Sequence, residues 1–423
     1  MNLSTDHEST QDAPPTAAAA DVLAVFVVLA LLGIWPTPDI NEAHYLTKAK
    51  HFWQPHWCAN DHFLASGESH VTYYATFGYL TQLMSFDAAA WCGRLAGWLM
   101  LAIGWRRLSF VFARDRHGRV VHGGRVALDQ QFQMSGEWFV GGIEAKVPAY
   151  ALVFYGLADV FQGAGIEASS PWARRRHFTC SLGGWSLVAV GTAWLADRQR
   201  PALRSILPGL VVAGLLSLAG VLPGLAEFPP KSIPPRSPKP INSTSSAAWP
   251  IIFGRSTSFP SSPPDIFLLI VGWLVVCGTM PSSPQDKRLR WFVAAAIALA
   301  LVGAVISYAS PAPSNWAARL LKYYWFRLSD IAVPIGVTLE LARAAANADF
   351  SPLRRRLSFA LLTAAAVWGG VQVVSELHSA DVRPMRSERI DDAVTYANWQ
   401  AACRWIRDNT PDDAIVITPR TAS

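Results

Sequence analysis

The sequence predicts an all-α polytopic membrane protein with about eight to ten transmembrane helices. Three observations carry that expectation. Apolar residues make up 51% of the 423-residue chain against 16% charged, with 18 tryptophans and a mean hydropathy of +0.22, a balance outside that of soluble domains. Apolar runs long enough to cross a bilayer recur from residue 17 to residue 374. The net charge of +6 comes mostly from arginines beside those runs, at Arg106/Arg107, 174–176, 198–204 and 354–356. Charge placed that way reads as topology, and it argues against nucleic acid as a partner. The five cysteines are scattered and lack a C-x-x-C pair, so neither a disulfide framework nor a zinc site is signalled. Three of them lie in apolar runs and are expected to be small buried hydrophobes.

Residues 1–16 are polar and acidic with no basic leader and read as a disordered tail. Residues 17–35 supply the first span, ended by Pro36 and Pro38. If the arginines after the second span, 88–108, are cytoplasmic, the loop 36–87 lies outside. Within it, 41–53 has a helical pattern with Asn41 as cap, Glu42 in the first turn and Lys48 and Lys50 later. The aromatic, nearly uncharged run 71–86 suits a second helix at the headgroup level. Further spans are predicted at 138–161, 178–196, 203–225, 266–280, 291–308, 328–346 and 357–374.

This assignment conflicts with the charge pattern at two places. Basic clusters flank both ends of the span 138–161 and both ends of the span 178–196, and one crossing cannot leave both its ends on the same side. Either a hairpin at Gly183-Gly184 or a crossing absent from the list restores the parity. The basic stretch 114–125, within 109–136, and the Pro/Ser-rich stretch 227–265 interrupt the apolar pattern. Each reads either as a solvated loop or as a stretch translated in a shifted frame; codons permitted by the basic stretch, read one base on, can give an apolar run. The domain expectation is therefore a tail (1–16), a transmembrane domain (17–376) and, from 377 to 423, the start of an extracytoplasmic domain cut short after one helix, 391–408, and one strand, 414–418.

The layout resembles the GT-C superfamily of polytopic glycosyltransferases, which includes protein mannosyltransferases and aminoarabinose transferases. The resemblance rests on P-D-I-N-E-A-H-Y-L directly after the first span, the long first external loop, about ten spans, and the phrase W-I-R-D-N-T-P-D-D-A-I-V-I at 405–417. The stretch G-E-W-F-V-G-G-I-E-A-K at 136–146 is also similar to one carried by an uncharacterised bacterial membrane family. The resemblance implies transfer of a sugar from a polyprenyl-phosphate carrier to an acceptor on the extracytoplasmic side of the cell membrane. It implies partners in the bilayer and the carrier lipid, and leaves the cofactor unknown, a divalent metal being compatible. The interrupted segments and short C-terminus imply little or no activity in this chain.

Such chemistry needs a carboxylate to accept the acceptor's proton and cations to hold the leaving phosphate. Glu42 is the first choice for the base, with Asp39 beside it; the plainer role for both is to charge and cap a helix N-terminus. Arg319, Lys322 and Arg327 form a basic-aromatic stretch on the predicted outer side, suited to a lipid phosphate or to snorkelling at the headgroups. Glu137, Glu144 and Lys146 bracket a glycine pair at the start of a span and form another polar candidate site. Five histidines, His44, His51, His56, His62 and His70, lie in the first external loop without an i, i+4 pair and read as surface residues, with no metal site assigned. The alternative to an enzyme is a transporter or scaffold, for which few intramembrane polar pairs are evident.

Overall fold

The computed structural model describes residues 15–39, 41–61, 63–65, 70–113, 140–162, 184–204, 207, 211, 263–308, 320–321, 323–380 and 393–411. Among these the chain is helical, with no strand. The long helices are α1 (Pro15–Gly33), α5 (Phe86–Phe110), α6 (Lys146–Gln162), α7 (Gly184–Ala196), α8 (Pro263–Thr279), α9 (Pro284–Tyr308), α10 (Arg327–Ala346), α11 (Pro352–Ala380) and α12 (Ala393–Asn409). Between α1 and α5 lie α2 (Glu42–Trp53), α3 (Val71–Ala75), a 3-10 turn (Phe77–Tyr79) and α4 (Leu80–Leu83). Four long helices begin on proline, whose fixed φ suits the first helical turn and whose missing N–H is no loss there. Ser85 caps α5 by accepting from the Ala88 N–H at 3.3 Å.

Two expectations shift at the level of elements. The run 71–86 is not one helix but three short pieces, because Thr76 and Met84 leave helical backbone angles. The span expected from residue 138 begins only at Lys146, since the glycine pair before it is drawn into tight contact with Asp39 and Glu42. Helices α1, α5, α8 and α10 fall within a few residues of the apolar runs, whereas α9 begins seven residues early, at Pro284, and α11 (Pro352–Ala380) overruns 357–374 at both ends. The expected span 203–225, most of the stretch 227–265 and the strand 414–418 fall largely or wholly outside the described residues.

Side-chain contacts fix the helix directions. Asp21 lies by Arg106 at 3.8 Å and Gly33 by the Trp98 ring, so α1 and α5 are antiparallel. Gly93 faces Ile143, Gly97 faces Val147, Gly104 faces the Ala151 carbonyl and Phe112 stacks edge-on with Phe161, so α5 and α6 run parallel. Small residues at 93, 97 and 104 are what allow that close approach. Arg288 of α9 reaches both the Phe161 carbonyl (3.0 Å) and Asp197 (2.6 Å), placing the ends of α6 and α7 together at the start of α9. At the other end of α9, Gly303 faces Trp325, which stacks on Trp185 at 4.3 Å. Arg290 binds the Cys277 and Met280 carbonyls and Glu340, so α8 and α10 also end there.

Helices α5, α6, α7 and α8 thus all run the same way. The described residues on either side of two intervals, 113 and 140 and then 162 and 184, therefore stand at opposite ends of the bundle. The basic clusters that flank the expected spans 138–161 and 178–196 at both ends fall around these two intervals. Helix α10 is the centre, buried along nearly its whole length against α8, α9 and α11.

The outer faces are apolar. Leu23 and Leu31 of α1, Leu99 of α5, Phe267 and Leu274 of α8, Val305 of α9 and Val367 of α11 are all exposed. The interior holds the charges, in the pairs Arg107–Asp159, Arg288–Asp197, Arg290–Glu340 and Arg343–Asp286. Among the described residues two helices, spanning Thr16–Gly33 and Pro284–Ser307, are long and apolar enough to cross a membrane, and two shorter apolar helices accompany them. Of the cysteines in apolar runs, Cys92 lies exposed on an outer face and Cys277 is half-buried, so neither is the core residue expected.

Candidate functional site

At the end of the bundle where α1 finishes, the chain turns through a cis Thr37–Pro38 peptide into Asp39 and then α2. Asn41 occupies the N-cap position but its side chain makes no capping bond. Glu42 does that work from inside the helix: its Oε2 accepts the Asp39 N–H at 2.9 Å, while its own N–H donates to the Asp39 carbonyl at 2.9 Å.

The Glu42 carboxylate is fully committed. Arg94 of α5 donates to it twice, Nε to Oε1 at 2.7 Å and Nη2 to Oε2 at 2.6 Å, and the Ile143 N–H adds a third bond to Oε1 at 2.7 Å. With the Asp39 N–H, four donors occupy its lone pairs. Arg94 also donates to the Trp35 and Pro36 carbonyls and stacks 4.8 Å from the Trp91 ring. Both partners are wholly buried. This fork binds the end of α1, the start of α2, the middle of α5 and the entry to α6 into one unit.

Asp39 is buried beside it and accepts the Gly142 N–H at 3.0 Å. A Cβ on Gly142 would stand 2.9 Å from both the Asp39 Cβ and the Glu42 carboxyl carbon, and Gly141 has φ of 149°, so the glycine pair is required twice over. Glu144, two residues on, is 2% exposed. Lys146 lies 3.3 Å from its Oε2, whereas Oε1 has no hydrogen-bond partner. Burial pushes the Glu144 carboxyl above its ordinary range; the Lys146 ammonium and the nearby Asn41 amide oppose that shift and Asp39 reinforces it.

An aromatic wall closes the other side. Tyr73 donates to the Ile143 carbonyl at 3.2 Å and packs edge-on against Tyr45, whose hydroxyl lies 3.3 Å from His70 Nε2. Burial, with the Glu42 charge next, holds the Tyr73 phenol well above its usual pKa. The His70 imidazole is pushed down by burial, then by the charges of Arg327 and Lys48, which brings the start of α10 into the same neighbourhood. Arg327 itself lies 3.7 Å from the Tyr324 ring, and Lys48 5.0 Å from the Phe63 ring.

Of the residues expected from sequence, the fold therefore gathers Asp39, Glu42, Glu144 and Lys146, with Arg327 at the margin. Glu137, Arg319 and Lys322 lie outside the described residues. The histidines do not form a group: His44 packs on Phe63, His51 contacts the Trp57 carbonyl at 2.8 Å, and half-buried His70 departs from the surface role expected of it. Among the described residues no three His, Cys, Asp or Glu side chains are placed to hold a metal ion. Asp39 and Glu42 already face N–H donors, so this donor set fits a metal poorly.

Residues 397–423 match the family described as Domain of unknown function (DUF6798). No curated protein and no solved structure is similar to the chain. The match begins inside α12 and continues past the last described residue, 411, so it does not touch the carboxylate cluster.

The residue missed by the sequence reading is Arg94. Its signal was present: an arginine inside the apolar run 88–108, well before the Arg106/Arg107 pair at its end and on the turn of a G-x-x-x-G (Gly93 to Gly97) that marks a close helix contact.

Proposed function

We propose that the chain is a multi-span membrane protein that transfers a sugar from a polyprenyl-phosphate carrier to an acceptor hydroxyl, with its carboxylate cluster on the extracytoplasmic side. The membrane part rests on the apolar outer faces with charges paired inside, the reverse of a soluble protein. It rests also on the collection of Arg106, Arg107, Arg288, Arg290 and Arg343 at the end opposite Asp39, as the bias of cytoplasmic ends toward basic residues would have it.

The chemical part rests on one observation: a buried carboxylate with an uncommitted oxygen, Glu144 Oε1, beside Asp39 and Lys146. A general base must have a free lone pair and a pKa lifted toward neutrality, and Glu144 has both. Glu42 has no free lone pair, so its role in this reading is to position Asp39 and the glycine turn rather than to take a proton. In the reaction the acceptor oxygen forms a bond to the anomeric carbon while the bond from that carbon to the phosphate oxygen breaks. The hydroxyl proton goes to Glu144 and the polyprenyl phosphate leaves as the anion. Lys146, Lys48 and Arg327 supply positive charge for that anion.

The test pairs binding with turnover. Purified full-length protein should retain polyprenyl phosphate in native mass spectrometry, and Arg327→Gln should weaken that retention. In membranes charged with a polyprenyl-phosphate sugar, Glu144→Gln should lose the glycosylated product while still retaining the carrier. A wild-type protein that retains no carrier, or a Glu144→Gln protein with full product, overturns the reading.

A further inference from the structure

At the basic end of the bundle, away from the carboxylates, a cavity of about 1020 Å³ opens between α1 and α5 and reaches the end of α6. Its walls are apolar along their length, with Leu23 and Phe26 on α1 and Leu99 and Ile103 on α5. Leu23, Leu99 and Ile103 are exposed there, at 62%, 45% and 43%. At its end stand Arg106 and Arg107.

Those two arginines are not equivalent. Arg107 is clamped between the Asp159 carboxylate and the face of Tyr155. Arg106 is looser: its closest carboxylate, Asp21, is 3.8 Å away, too far for a hydrogen bond, and its Nε is buried with no hydrogen-bond partner. The acids lie beneath, Asp21 unexposed and Asp159 nearly so, while the Arg106 and Arg107 side chains keep about a fifth of their surface exposed. A partly exposed arginine side chain, held only at 3.8 Å by its acid, thus sits at the head of an apolar trough.

We propose that this trough binds an anionic glycerophospholipid of the inner leaflet, its acyl chains along α1 and α5 and its phosphodiester on Arg106. The charge at one end and the apolar length beneath it match the two halves of that molecule. An uncharged chain would leave the exposed part of the Arg106 side chain without an anion, and a zwitterionic lipid would set a choline cation against the same guanidinium. The site rests on the membrane reading above, but not on the glycosyl-transfer reading.

The experiment uses full-length protein extracted from membranes and stripped of lipid, titrated separately with phosphatidylglycerol and phosphatidylcholine in a neutral detergent and read by native mass spectrometry. Wild type should retain phosphatidylglycerol about fivefold better than phosphatidylcholine, the effect of one basic group at the headgroup. Arg106→Gln should level the two lipids, and Arg106→Lys should recover part of the preference. Ala96→Trp, which fills the trough without touching the charge, should reduce retention of both lipids. Equal retention by wild type, or an unchanged preference in Arg106→Gln, overturns the proposal. A protein that is found in the soluble fraction and needs no detergent fails the membrane reading instead, and takes this site down with it.

Discussion

Replacing Arg94 by methionine should be among the most destabilising single changes in this protein. The substitution keeps most of the apolar volume against Trp91 but removes, among the described residues, the only cation bonded to Glu42, a carboxylate with no exposed surface. Two charge-assisted bonds to Glu42 are lost and the Trp35 and Pro36 carbonyls lose their donor. At roughly 1.5–3 kcal/mol per charged bond, with the loss capped because the stranded carboxyl would take up a proton instead of staying ionised, the net comes to about 4 kcal/mol, within the range for breaking a buried pair. A melting entropy of about 2.1 cal/mol/K per residue converts that to a fall of roughly 4–5 °C in thermal midpoint for a chain of this length. The assay is the tryptophan-fluorescence melting curve of the detergent-solubilised protein, run on Arg94→Met, Glu42→Met and the double variant. The double variant should lie well above the sum of the singles, because the second substitution removes the stranded partner, although the Asp39 and Ile143 N–H groups remain unanswered. An Arg94→Met protein melting within 1 °C of wild type, or a strictly additive cycle, would refute the reasoning, the first number being about the reproducibility that such shifts need.

Three further outcomes follow from the same geometry. Because the folded-state pKa of Glu144 is raised from 4.5 by burial, the native state holds that proton longer than the unfolded chain. Stability should therefore fall as pH rises from about 4.5 through the raised value and level off beyond it; Glu144→Gln should remove that slope and be the more stable protein at neutral pH, read from melting temperatures across pH. His70 works in the opposite sense: its folded-state pKa lies below 6.5, so stability should fall as pH drops beneath that value, and His70→Gln should flatten the acid limb of the same curve. Gly142→Ala should cost about 1–3 kcal/mol by forcing a methyl group against both carboxylates, whereas Gly191→Ala, on α7 with open space beside it, should change the melting temperature little.

How much of this was legible beforehand differs by level. The helices were, because apolar runs and prolines at helix starts are local signals: α1, α5 and α10 begin within two residues of where the hydropathy rises, while α9 starts seven residues earlier, at Pro284. The place of the carboxylates at the end of α1 was legible for the same reason. Their roles were not. Nothing local separates Glu42 from Glu144, since what distinguishes them is Arg94, 52 positions after Glu42, and the backbone of Ile143, 101 positions after it. A tertiary ion pair turned the expected base into the most heavily bonded group in the cluster and left the other glutamate with a bare oxygen. The parallel run of α5 to α8 was readable only as a fault in charge parity, because direction is set by contacts such as Arg288 to Phe161, not by composition. The helix expected over 71–86 broke into pieces since Tyr73 is pulled toward the Ile143 carbonyl and Trp53 toward the Tyr74 carbonyl, a demand from other segments that aromatic content does not reveal.

The span of the Glu42 contacts also sets a clock on synthesis. Its nearest partner, the Asp39 N–H, is made at once; Arg94 follows 52 residues later and the Ile143 N–H 101 residues later. At about 5–20 residues per second, the nascent chain carries this carboxylate incompletely answered for roughly 5–20 seconds. Until α5 has been made, α1 lacks the neighbour it packs against and the Glu42 carboxylate has only the Asp39 N–H and water for partners. Arrival of Arg94 is the first event that can draw that carboxylate inward, and a ribosome that stalls before it leaves an exposed acidic turn for quality-control proteases to find.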